Sequence, residues 1–255
     1  MPMPTVCAAA RVVRPGTPEP KPRGYPMKLI RSLLPAVLLL ALAGCSAIPE
    51  AKQSPVESAA LAVLASDAGL NEKARACQEL GDFGGPNSVA PLAALLNKEH
   101  LADYARSGLE GIKDPSAGVA LRNGLPTLEG RYLAGAVNSL GVRREVAAVP
   151  ELQKLALDPK RGVAEEAIAS LGMIANRGAT KTLQQVLASG PAELRVPAAQ
   201  AAIAAAAQLA NDGNVAVARE LLDSVVQGLP PSQLATVAKN QAVALSAKAG
   251  KTAPK

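Results

Sequence analysis

Few residues of this 255-residue chain are of the types that perform catalysis or hold a metal ion. It contains one histidine, His100, which we expect to be a solvated loop residue. A zinc site needs several histidine or thiolate ligands close together, and no second histidine or paired cysteine spacing occurs. The adjacent acids Glu165 and Glu166 would point about 100° apart on a helix, so they cannot work as a paired acid and base. Neither a phosphate-binding loop nor a nucleophile elbow is present in the sequence. We therefore expect a protein that is not an enzyme and uses no cofactor or metal.

One of the three cysteines stands in a recognisable context. The segment from Met27 to Arg31 is short and basic, and residues 33–43 are apolar apart from one proline. This run is typical of a secretory signal peptide and is too short for a membrane span, which needs about 20 residues. The tetrad that ends it, Leu42-Ala43-Gly44-Cys45, resembles the lipobox of bacterial lipoproteins. The resemblance implies cleavage before Cys45, a diacylglyceryl group on its thiol, and acylation of the new amino terminus.

The signal-peptide prediction also assigns the neighbouring segments, including the leader, residues 1–26. Residues 1–26 contain seven prolines and no periodic pattern, so they cannot form a packed element. We predict that translation begins at Met27, that residues 27–44 are the signal peptide, and that residues 45–54 form a short flexible tether. Ser46, which follows the lipidated cysteine, implies a protein held at the periplasmic side of the outer membrane. Cys7 falls in the leader, and Cys77 falls on an apolar helix face, where it would be a small buried hydrophobe.

The distribution of charge argues against a nucleic-acid partner. The formal net charge is +6, but residues 1–44 carry six basic groups and one acidic group. From Cys45 onward the chain has 21 basic and 20 acidic residues. A nucleic-acid-binding protein should keep a basic face in its folded part. We therefore expect the partners to be a membrane, through the lipid, and a protein or peptide.

The composition predicts helices. Hydrophobic residues make up 49% of the chain, but aromatic residues only 2%, and most of the apolar residues are Ala, Leu and Val. Alanine and leucine are the strongest helix formers, whereas strands favour aromatic and β-branched residues. We therefore predict an all-α fold.

One helical pattern recurs from about residue 54. Leu80, Gly111, Leu140 and Leu171 occupy corresponding positions, with spacings of 31, 29 and 31 residues. A fixed period of this size indicates a solenoid. Each unit divides into a first helix, which ends near a glycine suited to a left-handed cap, and a second helix. The predicted first helices include residues 73–81, 104–112, 133–141 and 164–172, and the predicted second helices include residues 86–97, 115–124, 143–157 and 178–189.

The Asp-Pro pairs and the small residues of these units each have a physical role. The dipeptides Asp114-Pro115 and Asp158-Pro159 each place a capping oxygen before a proline, which is typical of a helix start. First helices must also approach their neighbours within about 8–10 Å. The small residues expected to allow that approach are Ala74, Gly108, Ala136 and Ala167.

The repeats resemble HEAT repeats, and in particular the short variety known as phycobilisome-lyase HEAT-like repeats. Arg75 followed by Leu80-Gly81, and the proline-containing segments 89–92 and 149–152, carry the resemblance. It implies a right-handed α-solenoid of about five to six stacked helix pairs, with the HEAT-like repeat solenoid over residues 55–190. Residues 191–249 are then degenerate repeats or a cap, and residues 250–255 a tail. Nothing in the sequence adds a chemical signature for lyase activity.

The same resemblance places the second helices along the concave face of the solenoid. A shallow basic and polar groove there could bind an acidic peptide or a helix of a partner. Tyr104 and Tyr132 are either anchors of that groove or packed between helices. The candidate residues are Arg143, Arg144, Lys154, Arg177, Lys181, Gln184 and Gln185.

Three functions fit these observations. The first is a monomeric, lipid-anchored scaffold or adaptor that binds a protein partner. The second is an accessory subunit of an envelope enzyme or of a cofactor-assembly system, which would co-purify with that enzyme or with a chromophore. The third is a passive structural protein of the envelope.

Overall fold

The computed structural model describes residues 54–252, except for the side chains of residue 159 and of residues 248–252. The described residues belong to one compact unit that begins at residue 51. The predicted leader, the signal peptide, the lipobox with Cys45 and residues 45–53 of the predicted tether lie outside this range. Residues 253–255 of the predicted tail also lie outside it.

The described part of the chain contains twelve α-helices and no strand, as the composition predicts. The first six are α1 (Pro55–Ala65), α2 (Leu70–Phe83), α3 (Pro86–Ala93), α4 (Ala102–Gly111), α5 (Pro115–Gly124) and α6 (Gly130–Val142). The next six are α7 (Val149–Leu157), α8 (Ala164–Ile174), α9 (Arg177–Ser189), α10 (Ala192–Asn211), α11 (Val215–Gly228) and α12 (Gln233–Thr252).

The helices alternate between two layers. The even-numbered helices form the first layer, in which α2 packs on α4, α4 on α6, α6 on α8 and α8 on α10, and α12 extends the layer beside α10. The odd-numbered helices form the second layer, in which α1 packs on α3, α3 on α5, α7 on α9 and α9 on α11. Helices packed in this regular way form an α-solenoid, and the predicted all-α solenoid fold is confirmed.

The core lies between the layers and consists mainly of leucine and alanine. The leucines at the repeated position, Leu80, Leu140 and Leu171, are fully buried, as are Ala136 and Ala167. The arrangement continues without a break past residue 190, because α10 packs against both α8 and α9. The C-terminal helices therefore extend the same two layers.

The predicted helix starts are correct in part. Asp114 caps α5, since its side chain accepts a hydrogen bond from the Ser116 amide, and the bounds of α5 are those predicted. The second helix expected from residue 143 begins only at Val149, after a short 3-10 helix, Val146–Ala148. Asp158 also begins a three-residue 3-10 helix, Pro159–Arg161, rather than an α-helix.

The prediction that the repeated glycines form left-handed caps is wrong. Gly81, Gly111, Gly141 and Gly172 lie within first-layer helices. Each instead stands where a neighbouring backbone comes very close. A methyl group built on Gly111 would lie 2.5 Å from the carbonyl oxygen of Gly81, and one on Gly141 would lie 2.7 Å from the Cα atom of Ser170. The glycines therefore allow first-layer helices to touch backbone to backbone.

The left-handed positions lie at the ends of these helices and are held by other residues. After α6, Arg144 has φ 50°, and the Arg144 and Glu145 amides donate hydrogen bonds to the carbonyl oxygens of Gly141 and Leu140. After α10, the same pair of bonds surrounds Gly213, which has φ 83°. Both helices thus end in the Schellman motif, but only the second has glycine at the left-handed position. Ala175, with φ 51°, ends α8 in the same backbone region.

Candidate binding surface

The candidate residues lie in one region of the second layer and at its edge. Lys154 is on α7, whereas Arg177, Lys181, Gln184 and Gln185 are on the neighbouring helix α9. Gly178, in the first turn of α9, lies close to Val149, in the first turn of α7, so the two helices start side by side. Arg143 and Arg144 are in the segment between α6 and α7.

The guanidinium group of Arg143 already has partners within the chain. It donates hydrogen bonds to the carbonyl oxygens of Leu109 (2.8 Å), Glu110 (3.0 Å), Ile112 and Asp114 (3.2 Å). These oxygens end α4 and the turn after it, where helical carbonyl groups have no helical partner and favour a positive charge. Arg143 therefore caps α4, and its two terminal nitrogens are engaged within the chain rather than free for a ligand.

Gln184 also has a partner within the chain. Its side-chain amide donates a hydrogen bond of 3.2 Å to the hydroxyl group of Ser224, on α11. Like Arg143, Gln184 is only partly exposed. It connects two neighbouring helices of the second layer rather than projecting from them.

Five of the candidates are exposed, and four of those are cations. Arg144, Lys154, Arg177, Lys181 and Gln185 are all exposed. Helix α9 contains no acidic residue, so the charges of Arg177 and Lys181 are not neutralised within it. Exposed cations on neighbouring helices, with no anion on α9 itself, form a surface suited to an acidic segment of a partner.

A groove between α3 and α5 was not predicted from the sequence. It has a volume of about 610 Å³ and is open to solvent. Its lining includes no charged residue, and Val119 within it is 41% exposed. The sequence of either helix alone gives no signal for it, because the groove depends on the distance between the two helices. The groove is lined by Pro86, Val89, Ala90, Ala93, Ala94, Leu96, Asn97, Ser116, Val119, Ala120, Asn123, Gly124, Thr127 and Leu128.

The two tyrosines differ in their surroundings. Tyr104 is 41% exposed on α4, a helix of the first layer. Tyr132, on α6, is partly buried against the hydrophobic core. Its hydroxyl group accepts a hydrogen bond from Arg131, and the Arg131 guanidinium lies 4.8 Å from its ring centre. Since both are on first-layer helices, neither lies on the surface formed by α7 and α9.

The residues considered at the outset for chemistry include Cys77 and His100, which lie in different surroundings. Cys77 is fully buried, and burial raises the pKa of its thiol to about 11, so that it is a protonated hydrophobe at neutral pH. His100 is exposed in the loop after α3. Within residues 54–252, no three potential ligands are grouped as a metal site. No helix in the same range is long and apolar enough to cross a membrane.

Comparison with known families finds HEAT repeats over part of the chain. The family model of HEAT repeats matches residues 120–204, which extend from the end of α5 into α10. This match includes α7 and α9 and so covers most of the candidate surface. No curated protein matches the chain.

Proposed function

We propose that this chain is a non-catalytic HEAT-repeat scaffold that binds an acidic segment of a protein partner on α7 and α9. HEAT repeats build interaction surfaces by stacking helix pairs, which supports a role in binding. The charge of this region supports an acidic partner, because Arg144, Lys154, Arg177 and Lys181 are exposed.

The observation that carries the proposal is the residue at the end of α6. A residue with a side chain at φ 50° costs about 1 kcal/mol relative to glycine, and the equivalent position after α10 is glycine. Arg144 nevertheless stands there, with its side chain exposed. Residues that are unfavourable for the backbone are concentrated at functional sites, where the side chain is needed. We infer that the Arg144 side chain contacts the partner.

Affinity capture of the full-length, C-terminally tagged chain from cross-linked cells tests this proposal. One envelope protein should be enriched, and the double variant Arg144→Glu with Lys181→Glu should reduce its recovery at least tenfold, since both cations become repulsive. The matched control is Lys98→Glu with Arg219→Glu, two exposed cations outside α7 and α9. Equal loss in both double variants, or none in either, would contradict the proposal.

A second experiment asks whether the groove between α3 and α5 belongs to the same binding surface. Val119→Asp places a charge in the uncharged groove and should leave the helices intact, because Val119 is already 41% exposed. If the partner extends over α3 and α5, its recovery falls. If recovery is unchanged, the binding surface ends at α7.

The anchor is a further part of the proposal. We propose that Cys45 carries a lipid and that the solenoid is held at the periplasmic side of the bacterial envelope, at the outer membrane. The lipobox-like tetrad and the small number of residues between Cys45 and α1 support this. Mass spectrometry of the mature N-terminal peptide should find a diacylglyceryl group on Cys45. Recovery of a peptide that continues unbroken from residue 40 to residue 50 would contradict cleavage.

A further inference from the structure

The two ends of the described solenoid are incomplete in opposite ways. At the N-terminal end, α1 is a second-layer helix that packs on α2 and α3, with no first-layer helix before it in the described range. At the C-terminal end, α12 is a first-layer helix that packs on α11 and α10, with no second-layer helix after it. If α12 of one copy were followed by α1 of another, the alternation of layers would continue unbroken.

Each terminal helix also exposes apolar surface, whereas the outer surface that normally closes a solenoid is polar. The only charged residue of α1 is Glu57, and it is buried, because it accepts hydrogen bonds from the Gly85 amide (2.8 Å) and the Ser88 hydroxyl (2.7 Å) of the α3 start. Val56, on α1, is 41% exposed, and Val243, on α12, is 62% exposed. Each terminal helix therefore exposes a large apolar side chain, and α1 exposes no charged side chain.

A groove at the N-terminal end has the position that a preceding first-layer helix would take. It has a volume of about 310 Å³ and lies between α1 and α2. Val63 and Ala76 contribute apolar surface to it, and Glu72, Arg75 and Glu79 contribute charges. Gly81, which contacts α4, is on the opposite side of α2, so this groove is directed away from the rest of the solenoid.

The charges of the two ends are complementary. Besides the buried Glu57, residues 55–83 contain four acidic and two basic residues, whereas residues 233–252 contain three lysines and no acidic residue. Among the lysines, Lys239 is exposed on α12. Opposite charges at the two ends favour contact of one end with the other and disfavour contact between identical ends.

We propose that copies of this chain associate end to end, with α12 of one copy seated against α1 and α2 of the next. The contact joins two different surfaces, so it is heterologous and forms open rows of molecules rather than a closed dimer. It departs from the expectation of a monomer and is independent of the partner surface on α7 and α9.

Photo-cross-linking in native membranes tests this proposal on the full chain. The photoreactive residue p-benzoylphenylalanine replaces Val243, and two differently tagged versions of the chain are co-expressed. We expect an adduct of twice the chain mass that contains both tags and joins position 243 to a peptide from residues 55–83. The control places the same photoreactive residue at Ala188, which is exposed on α9, and should give no such adduct.

Charge reversal provides the second readout. Lys239→Glu should lower the yield of the adduct about threefold, and adding Glu79→Lys in the same chain should restore it. Absence of the double-mass adduct would overturn the proposal, and so would an adduct that joins two α12 helices. An adduct within one chain, between position 243 and residues 1–53, would show that the leader covers α12 and would also overturn it.

Discussion

The first layer of the solenoid and the groove between α3 and α5 differ in how closely their helices meet. In the first layer, backbones touch at glycines, and a methyl group on Gly172 would lie 2.9 Å from Ala201. In the second layer, helices α3 and α5 leave an open groove, and a methyl group on Gly124 would meet nothing closer than 3.4 Å. The first layer therefore fixes the spacing of its helices, whereas α3 and α5 leave surface whose side chains can vary without disturbing that spacing.

The largest test of this difference compares one glycine from each layer. Gly111→Ala should lower the free energy of unfolding by about 3 kcal/mol, because its methyl group would overlap the backbone of Gly81 and force α2 and α4 apart. Gly124→Ala, in the second layer, should change it by less than about 1 kcal/mol. Chemical denaturation followed by circular dichroism measures both. Similar losses for the two variants would show that the helices pack as closely at Gly124 as at Gly111.

The second test separates a structural arginine from an exposed one. Arg143→Met should cost about 2 kcal/mol, because the carbonyl groups that end α4 lose a charged donor. Arg144→Met should cost less than about 0.5 kcal/mol, since the Arg144 side chain is exposed. The same denaturation experiment applies. If the Arg144 variant were the less stable of the two, the division of roles would be wrong.

A third test uses pH to examine the burial of the Cys77 thiol in the core. Burial raises the pKa of the Cys77 thiol from 9.0 to about 11, so the folded state favours the protonated thiol. This contribution to stability is fully present below pH 9 and is lost as pH rises toward 11. At pH 10 the wild type should lose about 1 kcal/mol more than a Cys77→Ala variant does, relative to each protein at pH 7. Parallel pH profiles for the two proteins would contradict the burial of the thiol.

The smallest expected effect concerns Arg144, the residue with left-handed backbone conformation at the end of α6. Arg144→Gly should raise the free energy of unfolding by about 0.5–1 kcal/mol, since glycine adopts positive φ without strain. The reverse change at the equivalent position, Gly213→Ala, should lower it by a similar amount. Thermal unfolding of the two variants measures the difference. If Arg144→Gly is stabilising and also weakens capture of the partner, stability and binding are opposed at this position.

The period of the sequence was sufficient to predict the fold class and most helices, because Leu80, Leu140 and Leu171 repeat one buried position. The role of the nearby glycines was missed. A glycine near a helix end fits both a left-handed cap and a close contact, and only the position of the neighbouring helix decides between them. The start of α7 was placed too early for a similar reason, since Arg143 and Arg144 continue a helical pattern that the Schellman motif interrupts.

The candidate surface was predictable only in part. Exposed cations on α7 and α9 follow from helical spacing, but the sequence does not show which of them have partners elsewhere in the chain. Arg143 bonds to residues about 30 positions earlier, and Gln184 bonds to a residue 40 positions later. The groove between α3 and α5 was missed because it depends on the distance between two helices rather than on either helix alone.

The arginine caps have a consequence for the order in which the chain can fold during synthesis. Arg143 completes the end of α4, and Arg161 donates hydrogen bonds to the carbonyl oxygens of Leu125 and Leu128, just after α5. In both cases the donor arrives more than 30 residues after the helix that it completes has begun. A nascent chain that ends before residue 143 therefore carries uncapped carbonyl groups at its growing edge. We expect such a fragment to be protease-sensitive at α4 until the next repeat emerges. Each repeat would then stabilise the folded state of the one before it.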